Sequence, residues 1–207
     1  MSALDLAAFV EAPLERDPYD FLILPGFVKP AAMPAIMADF PAVPGHGSFP
    51  LETVKPGPAF AALMDELRSP EVAKAFGDKF GIDLGGRPTM ITVRGRTDQR
   101  DGGIHTDSRT KLITVLIYMN PSWAEGGGRL RILRNGTDLD DYVAEVPPDA
   151  GTLLAFRRSD NSWHGHKPFV GERRAIQLNW VTGEDVVRRE LGRHKLSAFW
   201  KRLVPVH

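Results

Sequence analysis

The chain has 207 residues, 26 basic against 26 acidic side chains, and no cysteine. This length suits one substantial domain, the neutral balance argues against a general nucleic-acid binder, and the missing thiols exclude disulfides, thiolate metal sites and a cysteine nucleophile. No apolar run approaches the ~20 residues of a membrane span, and the opening "MSALDLAAFVEAPLERDPYD" has no basic start like that of a signal peptide, so a soluble, cytoplasmic protein without membrane contact is expected.

In chain order, "DFLILPGF" (20–27) reads as a short buried strand closed by Pro-Gly, and "KPAAMPAIMADF" (29–40) has a helical bias weakened by its second proline. "GPAFAALMDELRS" (57–69) sets Phe60, Leu63, Met64 and Leu67 on one helical face, and "PEVAKAFGDKFG" (70–81) starts a second helix with Pro. From residue 88 the texture becomes short strands: 88–95, 111–120, 128–133, 141–147, 151–157, 163–169 and 172–181, separated by turns such as "RNGTD" and "PPDAG". Such spacing indicates a sandwich, jelly roll or barrel. The tail 184–203 returns to helix, with Val187, Leu191, Phe199 and Leu203 on roughly one side. One domain over 1–207 is expected: a helical and mixed layer (1–87), a barrel (88–181) and a C-terminal helix.

Of six histidines, His46, His194 and His207 read as surface residues, leaving His105 in "HTD" and the pair His164 and His166 in "SWHGHKPF". In an extended segment residues two apart share a face, so His105 and Asp107 point to one place. A metal or a salt bridge both satisfy that spacing. Two histidines and one carboxylate on a β-scaffold are the facial triad of non-haem Fe(II) oxygenases, which leaves three coordination positions for a bidentate 2-oxo acid and O2. Such a co-substrate needs a cation for its far carboxylate. Arg173 and Arg174 follow His164 by nine and ten residues. Arg173 shares a face with Ala175, Gln177 and Asn179, while Arg174 shares one with Ile176, Leu178 and Trp180. The first face is small and polar, which favours Arg173 as a bidentate clamp.

The run "HTD…KLITVLIYMNPSWAEGGGRLRIL…GTLLAFRRSDNSWHGHKPFVGERRAIQLNW" closely resembles the catalytic barrel of 2-oxoglutarate/Fe(II)-dependent dioxygenases, in particular the prolyl-hydroxylase-like group, over residues 88 to 181. The resemblance implies a mainly β double-stranded β-helix, of jelly-roll or cupin-like form, with N-terminal helices packed on one sheet. It implies Fe(II) on His105, Asp107 and His164, with 2-oxoglutarate and O2 as co-substrates and ascorbate as a reductant. The far carboxylate of 2-oxoglutarate maps onto Arg173 and Tyr118, with Thr114 on the same face as Tyr118. Relatives often carry another tyrosine on the strand before the HxD motif; here "TMITVRGR" offers none, so either Thr92 or Arg94 stands in or nothing does.

The implied activity is hydroxylation of an unactivated C–H, with a prolyl residue of a protein or peptide as one target and a free metabolite as another. A cupin-type Zn(II) or Mn(II) hydrolase or isomerase, and a jelly-roll binding module without turnover, remain as alternatives. His166 reads as a supporting or surface residue, and Arg129 and Arg131 as solvated strand charges. The basic residues Arg94, Arg96, Arg100, Arg109 and Lys111 suggest a positive entrance and an acidic substrate.

Overall fold

In the computed structural model, residues 2–190 and 192 are described. Four helices come first in the chain, α1 (Leu6–Glu11), α2 (Met33–Ala38), α3 (Pro58–Leu67) and α4 (Pro70–Phe80), among two short strands, β1 (Phe21–Leu24) and β2 (Ser48–Pro50). Seven strands follow: β3 (Thr89–Thr97), β4 (Lys111–Tyr118), β5 (Leu130–Leu133), β6 (Tyr142–Val146), β7 (Leu153–Arg157), β8 (His164–Gly165) and β9 (Gly171–Val181). They form a six-stranded sheet, β1-β7-β4-β9-β3-β2, and a three-stranded sheet, β6-β5-β8, with antiparallel pairing throughout. This is a mainly β fold with helices on one face of the larger sheet.

The α3–α4 junction follows from local chemistry. Ser69 accepts a hydrogen bond from the Val72 amide at 3.2 Å, Pro70 opens the next helix, and Gly81 ends it in the left-handed region at φ 63°. Phe60, Leu63, Met64 and Leu67 of α3 and Val72, Phe76 and Phe80 of α4 are buried against Ile176, Leu178 and Trp180 of β9 in one core. Fully burying each such side chain contributes about 1.5–3 kcal/mol. The other face of β9 looks between the two sheets, where Ala175 joins Tyr118, Leu130, Ile132, Leu154 and Phe156 in a second cluster. One strand therefore carries the helix-facing core and the lining of the interior.

One expectation changes. The segment 163–169 holds a strand only at His164–Gly165, because Pro168 has no amide to donate and the Lys167 carbonyl accepts instead from Gly128 at 2.9 Å. Helix α1 and edge strand β2 have too few periodic positions to announce themselves. The C-terminal helix is seen over 184–190; Leu191, His194, Phe199, Leu203 and His207 lie outside the described residues. Among the described residues no helix is long and apolar enough to cross a membrane.

Candidate active site

His105 lies outside the regular strands and pairs with His164 of β8 as an isolated antiparallel bridge, each amide donating to the other's carbonyl at 3.0 Å. Directly opposed residues put their side chains on one face, and the two imidazole centroids are 4.4 Å apart. Asp107 follows two residues on, and one ligand atom from each of His105, Asp107 and His164 falls within 4.8 Å of the others. Gly102 makes the approach possible. It adopts φ 100°, its carbonyl takes the His166 amide at 2.9 Å, and a Cβ there would run into His166.

The three side chains are held before any ion arrives. The Nδ1 of His105 meets the Gly103 carbonyl and that of His164 the Ser162 carbonyl, both at 2.9 Å. Nδ1 then carries the proton and Nε2 presents its lone pair. Burial drives the His164 imidazolium pKa down to about 4, so the ring is neutral and ligand-ready near pH 7. Asp107 is 7 % exposed. Burial opposes its charge, but Lys111 and His164, with hydrogen bonds from Lys111 at 2.6 Å and Thr114 at 2.5 Å, hold its carboxyl below the usual range. Arg158 donates to the Asp107 main-chain carbonyl at 3.1 Å. Thr114, expected to touch the co-substrate, lines the same hollow but spends its proton on Asp107. Lys111, four residues after Asp107, had the charge and spacing to be noticed.

Beyond the triad lies an inner cavity of about 180 Å³, bordered by Arg94, Thr114, His166, Arg173 and Gln177. Arg173 points inward and is 5 % exposed, whereas Arg174 points outward, pairs with Glu172 at 2.7 Å and lies over the Phe40 ring. The Nε of Arg173 donates to the Gly128 carbonyl at 2.6 Å, and its guanidinium carbon sits 5.3 Å from the Tyr118 ring centroid. Among the described residues no carboxylate pairs with it. The Tyr118 hydroxyl is buried and has no hydrogen-bond partner. A buried guanidinium without an anion, beside an orphaned phenol, fits a carboxylate and is costly without one. His166, read from sequence as supporting or on the surface, is buried at this wall; burial and the nearby Arg173 lower its pKa to about 4, and it is neutral. Arg94 also borders the cavity, bound to Asp101 at 2.9 Å.

His105 and Asp107 also border a second hollow, here the outer one, of about 360 Å³, lined by Ser48, Met90, Thr92, Ser108, Thr110, Gln177, Asn179, Val186 and Glu190 among others. Three of the five basic residues expected at the entrance have acid partners. Arg109 faces Asp160 at 3.7 Å, Lys111 is taken by Asp107, and Arg94 by Asp101. Arg131 is not solvated but buried, held by Asp140 and Glu145 at 2.6 Å each. Its neighbours Leu130 and Ile132 take the interior face, so Arg131 looks away from the mouth. A larger depression, about 930 Å³, lies between α4 and the start of β3 and contains no histidine.

Residues 94–182 match the family model of the 2OG-Fe(II) oxygenase superfamily. A search of curated protein sequences finds no match. The fold resembles a Pseudomonas putida prolyl-4-hydroxylase at 19 % identity, covering 88 % of this chain and 97 % of that one with a TM-score of 0.57. It also resembles the viral collagen prolyl hydroxylase of Paramecium bursaria Chlorella virus-1 (13 % identity, 78 % and 96 % covered, TM-score 0.54). A Burkholderia pseudomallei oxidoreductase of the 2OG-Fe(II) oxygenase family is similar too, at 15 % identity, 87 % and 94 % coverage and a TM-score of 0.54. These likenesses establish a double-stranded β-helix of the prolyl-hydroxylase type. Residues 94–182, which carry His105, Asp107, His164 and Arg173, are similar to the 2OG-Fe(II) oxygenase superfamily.

Proposed function

We propose that His105, Asp107 and His164 hold the Fe(II), and that Arg173 with the Tyr118 hydroxyl receives the far carboxylate of 2-oxoglutarate. The observation that carries this reading is the buried Arg173, which no carboxylate of the described residues pairs with, at the wall of the cavity that the His-Asp-His group borders, with the Tyr118 ring packed beside it and its hydroxyl unpartnered. When bound, iron and 2-oxoglutarate supply the oxidising power: C–H, O2 and 2-oxoglutarate become C–OH, succinate and CO2. The chain's own part is positional. The carbonyl-anchored imidazoles aim two lone pairs, Lys111 and Thr114 keep Asp107 ionised, and Arg173 aligns the co-substrate along the cavity axis.

A cupin-type Zn(II) or Mn(II) hydrolase has no use for a buried arginine without a carboxylate partner at the cavity wall, and a binding module has none for the three convergent ligands. The same unit, residues 1–207, is read as a single cytoplasmic domain, with ascorbate as reductant. Its primary substrate is read as a prolyl residue in a peptide or protein, on the likeness in fold to the two prolyl hydroxylases. The test is succinate formation from 2-oxoglutarate with iron and ascorbate, alone and with proline-containing peptides, followed by mass spectrometry for a +16 Da product. Succinate formation lost in Arg173→Ala and kept in Arg174→Ala supports the reading; equal rates in the two variants contradict it.

A further inference from the structure

On the interior face of β9, Gln177 borders both hollows and Asn179 only the outer one. The Gln177 Nε2 donates to the Asn179 Oδ1 at 3.2 Å. That bond leaves the Gln177 Oε1, the second Gln177 Nε2 hydrogen and the Asn179 Nδ2 without a partner, an acceptor among donors, and Asn179 is 4 % exposed. We infer that the outer pocket selects an uncharged substrate presenting an amide, with Gln177 and Asn179 as the residues that determine this specificity. This rests on the reading of the triad and inner cavity given above.

The pattern of donors and acceptors decides the ligand class. A primary or secondary amide offers N–H beside C=O, the complement of an acceptor beside a donor. A carboxylate or phosphate offers only acceptors, so one of its oxygens would face the Gln177 Oε1 at close range. No described cation of the pocket is free to offset that repulsion. Lys111 is bound to Asp107 at 2.6 Å, and Arg94 at the adjoining wall to Asp101 at 2.9 Å. The hydroxyls of Ser48, Thr92, Ser108 and Thr110 can donate or accept and impose no charge. The outer hollow, which the Glu190 carboxylate also borders, therefore disfavours an anion and favours a hydrogen-bonding amide, although the chain's basic residues cluster in sequence near its rim. A mismatched polar pair at such a site costs about tenfold in affinity.

The experiment uses the full chain loaded with Mn(II) and 2-oxoglutarate. Two matched probe pairs are added, in each of which the N-acetyl group is tertiary and has no N–H: N-acetyl-L-prolinamide with N-acetyl-L-proline, and N-acetyl-N-methyl-L-alaninamide with N-acetyl-N-methyl-L-alanine. Paramagnetic broadening of the probes' proton resonances reads occupancy beside the metal. The expected result is that at least one amide is broadened at about tenfold lower concentration than its acid. Asn179→Leu and Gln177→Leu should each bring that ratio close to one. An acid that competes as well as its amide, no broadening by either amide, or a ratio untouched in both variants overturns the inference. The 2-oxoglutarate resonances in the same samples report separately on the inner cavity. If they are not broadened, the co-substrate reading fails instead. Preference for the alaninamide alone would sink the prolyl reading and keep amide selection.

Discussion

The two hollows on either side of the triad share His105, Asp107, Lys111 and Gln177 yet are built on opposite electrostatic principles. The inner one is small and cationic: Arg173 is buried without an anion, and a second arginine, Arg94, stands at its wall. The outer one is twice as large and lined mostly by hydroxyls and amides, with the Glu190 carboxylate at its border. The difference teaches that the inner cavity is charge-specific and preformed, whereas the outer pocket discriminates by the order of its donors and acceptors. A buried charge pays its desolvation in the absence of its partner, so the inner cavity gains most from being filled.

The largest effects should come from the shared wall. His105→Ala, Asp107→Ala and His164→Ala should each abolish Fe(II) binding, while His166→Ala keeps it, in an anaerobic metal titration of the four variants. Metal retained in His164→Ala and lost in His166→Ala would reverse the assignment. Next comes the inner cavity. Arg173→Ala removes the only described cation there that lacks an acid partner, and truncating one member of a buried charged hydrogen-bonded pair costs about 2–5 kcal/mol. The 2-oxoglutarate KM should rise accordingly, with Arg174→Ala close to the wild type.

Lys111→Met probes the wall between the hollows. Asp107 would be left buried without its ion pair, with the Thr114 hydroxyl, His164 and any bound metal to stabilise its charge. The metal-free protein should melt several degrees lower, and Mn(II) should raise its Tm by more than it raises that of the wild type. An equal metal-induced shift in both proteins would show that Lys111 does not hold Asp107 in the free state. The smallest effects belong to neutral or already paired groups. Tyr118→Phe removes one neutral hydrogen bond, worth about 0.5–1.5 kcal/mol. Arg94→Ala removes a cation that Asp101 already offsets. Both should raise the 2-oxoglutarate KM only several-fold; an Arg94→Ala effect matching that of Arg173→Ala would mean that the two arginines share the anion.

Much of the scaffold was legible because its signals are local. The alternation along 172–181 needs only a period of two to separate Arg173 from Arg174, and α4 announces itself through Ser69, Pro70 and Gly81. What was hidden depends on non-local pairing. Met90 and Thr92 come to line the same pocket as Gln177 and Asn179 because β3 pairs with β9, far along the chain, and β2 adds Ser48 to that edge. The charge of the rim misled for the same reason. Counting Arg94, Arg109 and Lys111 in sequence cannot reveal that Asp101, Asp160 and Asp107 lie against them. Arg131 reads as a solvated strand charge until β6 and the loop before it bring Glu145 and Asp140 to it. Thr114 has the right face for a co-substrate contact, and only the fold of 105–111 shows Asp107 taking its proton.

The most direct test of the joined triad and anion cavity is an anaerobic calorimetric titration of 2-oxoglutarate into the Fe(II)-loaded wild type, Arg173→Ala and the metal-free wild type. One equivalent should bind to the loaded wild type, and binding should weaken sharply both without iron and without Arg173. Equal affinity in all three would contradict the account, since the co-substrate would then be held by neither the metal nor the guanidinium.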